Sequence, residues 1–573
     1  VRFVFAIISF VIAAVLIGAG IAQRTILLEP DEVSLSTEST TGAAVTVIDG
    51  AALNAFDGSQ SLTVSGSDTI LAAYGRTSDV IAWVGDAEYT EIGYDTDAGA
   101  LTSTLVSGSE KKVPTIEGSD LWLDEFSRND LLSLTVKVPS DVSFILISDG
   151  TKPAPADVVI SWPVDNSTPW AGPLIVAGAV VLLLGLAFLL WATNHMRSSR
   201  GPRRKPQKMP KVPRKPLYKP AGRRAGRSAM IAVPMVLVGA LTLAGCSADF
   251  WPGTGDAAEP TPSASAVPEG TDAPPPAATV KQVERIVAAI SKTTADADAA
   301  KDTTLLATRF QGAALELRTA NYAITTADPS AAALGAIPAG PVKVTLPQQT
   351  DSWPRTVFAV IQDDTDSTIP PVALFLEQED PRSNYKVSYA ITLEPSAVLP
   401  KVAPATIGTS RLDDDSPVLR ISPDDLALGY ADILEKDVDS DSYLDFEAEG
   451  DSLRSNVGVT YKAGVRASLP TTASVAFGHA LGAAEPITLA TNDAGALMAV
   501  NLNETTTVTP VEAGAAVNPT GQVKALSGLA ISTKGVVATY GDQLLFYVPP
   551  AGSSAKIVLL GYTQGLVKAG EVG

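Results

Sequence analysis

"PLIVAGAVVLLLGLAFLLW", residues 173–191, decides how this chain is organised. It holds 19 residues without a charge. At 1.5 Å per residue such a helix reaches ~28 Å, close to the thickness of a bilayer's hydrocarbon core. Trp170 and Trp191 flank it, where indole rings favour the membrane–water boundary. Between Asn194 and Ser228 come 13 Lys or Arg and no Asp or Glu. The positive-inside rule places that block in the cytoplasm and residues 24–169 outside.

Two further apolar runs extend the pattern. Phe3 to Ala22, "FVFAIISFVIAAVLIGAGIA", is uncharged and preceded by Arg2, which favours an inside start. Ala14, Gly18 and Ala22 lie four apart, a small-residue stripe of the kind that packs on another helix. Gly20 and Ala22 would also suit a signal-peptidase site. The length of the run favours an uncleaved anchor. Residues 1–23 and 170–193 are therefore read as two transmembrane helices. The third run, "AMIAVPMVLVGALTLA" from Ala229 to Ala244, is shorter and contains a proline. Its length matches a signal-peptide core, and Arg223, Arg224 and Arg227 supply the basic flank.

Composition narrows the chemistry. The chain has 573 residues, too many for one core, and a net charge of −20. Outside the basic block the balance is more acidic still. Cys246 is the lone cysteine and His195 and His479 are the two histidines, so disulfide frameworks and cysteine-rich metal sites are excluded. Phosphate-binding glycine loops, the nucleophile-elbow motif and the zinc motif H-E-x-x-H are absent from the sequence.

Leu243-Ala244-Gly245-Cys246 resembles the lipobox of bacterial prolipoproteins. The resemblance implies a diacylglycerol group on the Cys246 thiol and cleavage between Gly245 and Cys246, with Leu243, Ala244 and Gly245 read by the peptidase. A diacylglyceryl group supplies the two chains that stable anchoring needs. The plainer alternative is a third membrane helix ending in a buried cysteine. Either way 229–246 is a third membrane segment, and residues 247–573 lie outside. Residues 247–278 read as a Pro/Ala-rich linker without the means to form a core. The layout resembles envelope proteins of actinobacterial type, in which a two-helix membrane protein abuts a lipoprotein.

The expected architecture is a multidomain membrane protein. Residues 24–169 read as an all-β, sandwich-like ectodomain, because short alternating segments such as "LLSLTVKV" and "DVSFILIS" sit between turn residues. Trp83, Trp122 and Trp162 are assigned to its core or rim. The C-terminal region reads as α+β, with helices on curved antiparallel sheets in two tandem units, 279–410 and 411–573. Val283, Ile286, Val287 and Ile290 mark one helix, Leu306, Phe310, Ala313 and Leu317 another. Ser422-Pro-Asp-Asp425 opens a third, with a capping serine and proline in the first turn. "LFLEQEDPRSNYKVSYAITL" and "LFYVPPAGSSAKIVLLGYT" echo each other across the two units. The element order is similar to nuclear-transport-factor-2-like domains, a likeness that carries no motif.

Candidate ligand sites are few. Asp437, Asp439, Asp441 and Asp445 fall at positions 1, 3, 5 and 9 of a calcium loop. Ser442 replaces the turn glycine and Ala448 the closing glutamate, so a solvated acidic loop is the plainer reading. Asp364 and Asp366 form a D-x-D triplet, too short to carry an assignment alone. The basic loop 194–228 is assigned to anionic lipid rather than nucleic acid. No catalytic residue is named and no resident cofactor is expected. The expected protein is a cell-membrane protein whose extracytoplasmic domains bind or scaffold envelope proteins or cell-wall polymers. The alternatives are an enzyme or enzyme accessory in cell-wall glycan or lipid-linked precursor metabolism, and a fusion of a membrane protein with a lipoprotein.

Overall fold

A computed structural model of the chain describes residues 2–28, 30–38, 42–155, 157–164, 166–198, 273–363, 366 and 368–573. The lipobox residues Leu243, Ala244, Gly245 and Cys246, the third membrane segment, and nearly all of the basic loop and linker lie outside the described residues. So does Asp364.

The N-terminal elements are α1 (Arg2–Thr25), β1 (Glu32–Glu38), β2 (Val45–Ile48), α2 (Gly50–Leu53), β3 (Gln60–Arg76), α3 (Thr77–Val84), β4 (Tyr89–Asp95), β5 (Ala100–Val106), β6 (Asp124–Val136), β7 (Val142–Ile147), β8 (Asp157–Pro163) and α4 (Ala171–Ser198). Then come α5 (Val280–Ala300), α6 (Thr303–Ala307), α7 (Gly312–Ala327), β9 (Val342–Pro347), β10 (Arg355–Ile361), β11 (Val372–Gln378) and β12 (Lys386–Leu393). The last part holds α8 (Pro423–Lys436), α9 (Ser452–Val457), α10 (Val459–Ser468), β13 (Ala473–Leu481), β14 (Ile487–Ala490), β15 (Ala496–Pro510), α11 (Gly521–Ser527), β16 (Val536–Val548) and β17 (Val558–Glu571).

Contacts divide the chain into two compact units. One contains α1 and α4. The other contains Leu35–Ala55, Ser61–Ile160 and the described part of Ser263–Gly573.

In the first unit, Phe3–Thr25 and Ala171–Arg197 are long and apolar enough to cross a membrane. They pack antiparallel: Gly20 lies against Ala171 and Ile175, and Phe5 sits 6.4 Å from Phe188. The buried seam is made of Ala6, Ala13 and Gly20 on α1, facing Ala171, Gly178, Gly185 and Ala192 on α4. Both sets repeat every seven residues, which keeps one stripe facing the partner along the helix. The stripe Ala14, Gly18 and Ala22 does not form this seam: Ala14 and Gly18 are exposed. A spacing of four drifts around the helix, whereas the spacing of seven tracks the contact. A Cβ at Gly178 would stand 2.6 Å from Ile17 Cγ1 and 3.1 Å from the Ala13 carbonyl oxygen, whereas one at Gly172 meets open space. Gly178→Leu is therefore expected to weaken the pair by about 1–3 kcal/mol, and Gly172→Leu to leave it unchanged. Cross-linking between cysteines placed at Phe5 and Phe188 reads the difference.

The strands β1 to β8, in the segment read from the sequence as the ectodomain and so called below, form one eight-stranded sheet in the order β1-β8-β3-β7-β2-β4-β5, with β6 also paired to β3. The region is β-rich, as expected, and its sheet branches at β3, while α2 and α3 add two helices to the strands. The 17 residues of β3 are long enough to serve three partners. β2 and β4 run parallel, which requires the crossover that β3 and α3 provide. Every residue of β7 is buried. On one face Trp83 and Val80 of α3, with Ile116, Leu121 and Trp122, cover Val45, Val47, Leu71, Ala73, Ile145 and Ile147.

The C-terminal region has one nine-stranded antiparallel sheet, in the order β13-β15-β16-β17-β12-β11-β10-β9, with β14 paired to β15. The two expected units are joined through β12 and β17, which share only the pairs Thr392–Tyr562 and Leu393–Gly561. The sheet folds back on itself into two leaves. Phe358, Val360, Phe375, Tyr389 and Ile391 of one leaf pack in a common core with Leu497, Ala499, Leu545 and Leu560 of the other. The opposite face of the first leaf, through Val357, Ala359, Leu374 and Leu376, packs on Val283, Ile286, Val287 and Ile290 of α5. The opposite face of the second, through Met498, Val500, Leu544 and Phe546, packs on Leu426, Tyr430 and Ile433 of α8. Four layers result: helices, leaf, leaf, helices. Alternation with period two is what lets each strand serve a helical layer and the central core at once.

The repeat legible in the sequence has a structural counterpart. The β11–β12 hairpin breaks register between Phe375 and Leu376, and the β16–β17 hairpin between Leu545 and Phe546. Phe375 and Leu545 both face the central core, while Leu376 and Phe546 both face helices. Leu346 pairs with Phe358 on one leaf as Ile487 pairs with Ala499 on the other.

Candidate functional site

The most elaborate polar construction among the described residues joins the ectodomain to the C-terminal region inside their shared unit. It begins with Arg355, the first residue of β10, which is 1% exposed. Its Nη2 donates to Oδ1 of Asp79 at 2.6 Å. Asp79 lies in the first turn of α3 and is itself 4% exposed. The Arg355 guanidinium stacks on the Trp353 ring at 3.8 Å, and Trp353 packs against the ectodomain core. Trp353 is held from behind by Gln378, which accepts from its Nε1 at 3.1 Å.

Asp120 is the second anchor. It is buried and ion-paired with the buried Arg309. Its Oδ2 also accepts from the Tyr385 backbone N–H at 2.9 Å, and its own N–H donates to Asn384 Oδ1 at 2.9 Å. Beside it, α5 sends Gln282 to the Leu121 carbonyl at 2.9 Å, and Arg285 to the carbonyls of Trp122 and Leu123. Gln282 is thus used twice, because it also closes the capping box with Thr279 at the start of α5.

Arg382 forms the rim. Its Nη1 and Nη2 donate to the two Glu110 oxygens at 3.1 and 2.9 Å. Its Nε and Nη2 also reach the carbonyls of Trp83 and Val84, at the end of α3, at 2.8 and 2.9 Å. A cation at a helix C-terminus is favourable in its own right. Arg76 returns a contact the other way, donating to the Pro276 carbonyl at 2.6 Å. Tyr385 is buried in the middle, and its hydroxyl has no hydrogen-bond partner. Burial pushes that phenol's pKa well above its ordinary value, so it stays protonated. The whole arrangement has buried Trp and Arg at its centre and a half-exposed ion pair at its edge, the usual anatomy of a protein–protein interface.

A second cluster lies under α8 and α10. Lys462 donates to Glu504 at 2.8 Å and to the Leu434 carbonyl near the end of α8 at 3.2 Å. Asp542, on β16, is wholly buried, and its carboxylate oxygens accept no hydrogen bond. Burial first, and then the Glu504 charge, raise its pKa well above the usual carboxylate range; Gln564 and Lys462 oppose this in part. The shift favours the protonated form of this side chain, which lies beside the Lys462–Glu504 ion pair.

Asp437, Asp439, Asp441 and Asp445 lie between α8 and α9. Residues 437–439 and 443–445 are short 3-10 turns rather than an open loop. Asp445 is paired with Arg420, and Asp437 takes a positive φ of 50° to end α8. Among the described residues no group of three or more His, Cys, Asp or Glu is placed to hold a metal ion. Asp366 is used locally, accepting from Thr368. His479 lies 3.4 Å from Glu435. A cavity of about 230 Å³ is lined by Asp424, Glu485 and Asn501, with Pro423, Leu481 and Val500. That is below the ~300–1,000 Å³ of ordinary small-molecule sites.

The interface residues were not singled out from the sequence. A signal is present in part: Asp79, at the edge of "DVIAWV", has Arg76 three residues before it, but Arg355 carries a charge at the edge of an apolar run, "RTVFAVI". Such a charge needs a distant partner.

No curated protein and no solved structure matches the chain. One family does, DUF8094, described as a domain of unknown function, over residues 274–571. Its span takes in both leaves and both helical layers and covers just over half of the sequence, and the chain accordingly belongs to the DUF8094 family.

Proposed function

We propose that this is a membrane-anchored envelope protein whose ectodomain and DUF8094 region form one extracytoplasmic body that binds or scaffolds other envelope components. The interface built on Arg355–Asp79 and Arg309–Asp120 carries the reading. Two domains that bury ion pairs against each other stand on the same side of the membrane. The helices α1 and α4 take the chain out and back again. The chain must then cross once more before residue 273, and Ala229–Ala244 is the apolar segment available for it. The lipobox reading of Cys246 belongs to the same proposal: a lipid on Cys246 would anchor the DUF8094 region beside the helix pair.

Binding rather than catalysis is favoured because the most elaborate polar chemistry described is spent on joining domains. The test is topology. Cysteines at Asp97 and Lys534, both exposed, are expected to react with a membrane-impermeant maleimide on intact cells. A cysteine at Lys211 is expected to react only after permeabilisation. Labelling of Asp97→Cys but not Lys534→Cys before permeabilisation would overturn the reading.

A further inference from the structure

We infer that the DUF8094 region and the ectodomain form a non-covalent complex that does not need the chain between them. The partner of this surface is thus the other half of the same protein, so that a cut at Cys246 would leave two membrane-anchored pieces still docked. The inference rests on the proposed topology and goes beyond it.

Three observations carry it. The hydrogen bonds and ion pairs named across the interface join residues 76–123 directly to residues 276–385. The interface has an apolar centre as well as charges: Trp353 is seated against the core that contains Trp83, Leu121 and Trp122. Separation would expose that core to water, which non-directional hydrophobic burial resists at any linker length. The ion pairs that cross the interface are also sorted by side, with Arg76, which donates to the Pro276 carbonyl, the one cation named on the other side. The C-terminal region supplies Arg285, Arg309, Arg355 and Arg382, and the ectodomain supplies Asp79, Glu110 and Asp120. Such sorting sets orientation and disfavours wrong partners. A domain pair held only by its linker needs neither feature. Anchoring both pieces in one bilayer would keep their local concentration high, replacing what the peptide connection supplies.

The test uses the full chain with a site for a sequence-specific protease placed between Gly253 and Glu259. Cysteines at Glu110 and Arg382, joined by a short bis-maleimide in native membranes, first report whether the uncut chain is docked. The chain without these cysteines is then solubilised in mild detergent, cut, and run on a sizing column. The two fragments are expected to co-elute, with at least tenfold more complex than free fragment at micromolar concentration. Arg382→Glu is expected to reduce co-elution at least tenfold, and adding Glu110→Arg to restore it. Fragments that separate after cutting, from a chain that cross-linked before it, would overturn the inference and leave the shared topology standing. No cross-link in the uncut chain would overturn both.

Discussion

Replacing Arg355 by Met lowers the stability of the unit that joins residues 35–55 and 61–160 to the DUF8094 region by about 3–5 kcal/mol. The size reflects the charge left stranded. Asp79 is 4% exposed and its partner guanidinium is 2.6 Å away. Without Arg355 the carboxylate remains desolvated, with Arg76 as the nearest cation at 3.9 Å. The substitution also removes the group stacked on Trp353. The double variant Asp79→Leu with Arg355→Met is expected to recover most of the loss, because no charge is then stranded. Chemical unfolding monitored by tryptophan fluorescence measures both, since Trp83, Trp122 and Trp353 lie at the interface. A single variant as stable as wild type would show that water already reaches the pair.

Lys462→Met is the second large effect, also about 3–5 kcal/mol, because it strands Glu504 next to Asp542 in the buried cluster. Asp542→Asn is expected to act in the opposite direction. The proton balance gives the sign. With its pKa raised in the folded state, Asp542 binds a proton more tightly in the native chain than in the unfolded one. Stability is then undiminished below the unfolded carboxylate pKa, about 3.9, and falls as pH rises from there toward the raised value. Asparagine does not titrate, so Asp542→Asn is expected to gain on wild type as pH rises from 5 to 8. Unfolding curves at the two pH values decide it. A variant that loses stability equally at both would mean that Asp542 is charged and paired in the folded protein.

Local and periodic features were legible in the sequence. The stripe Val283, Ile286, Val287 and Ile290 is wholly buried on α5, as its spacing requires. Ser422 caps α8 by accepting from the Asp425 N–H at 3.2 Å. Leu306, Phe310, Ala313 and Leu317 are all buried, yet only Leu306 lies on α6 and only Ala313 and Leu317 on α7; Phe310 stands in the break between Ala307 and Gly312, where Gly312 takes a φ of +53°. The stripe survived the break because helical spacing reports which side faces the core, not whether the backbone is continuous. The same limit holds for the acidic residues after α8: ligand spacing specifies a calcium site only if the intervening backbone turns, and Ser442 stands where glycine would turn it.

"DVIAWVGD", whose apolar pattern reads as a short strand, supplies most of the helix α3 instead. What the sequence determined by itself is therefore two segments long and apolar enough to cross a membrane, most of the strands and helices, and the internal repeat. Each depends on hydropathy, periodicity or capping among residues close along the chain. What only the tertiary structure decided is how the pieces meet. That the two repeats fold face to face into one sheet, that spacing of seven rather than four makes the helix seam, and that Arg355 answers Asp79 across 276 residues of chain are long-range matters. A buried charge announces in the sequence that it must have a partner, because desolvation without one is costly. Which residue that partner is depends on folding geometry that no local spacing encodes.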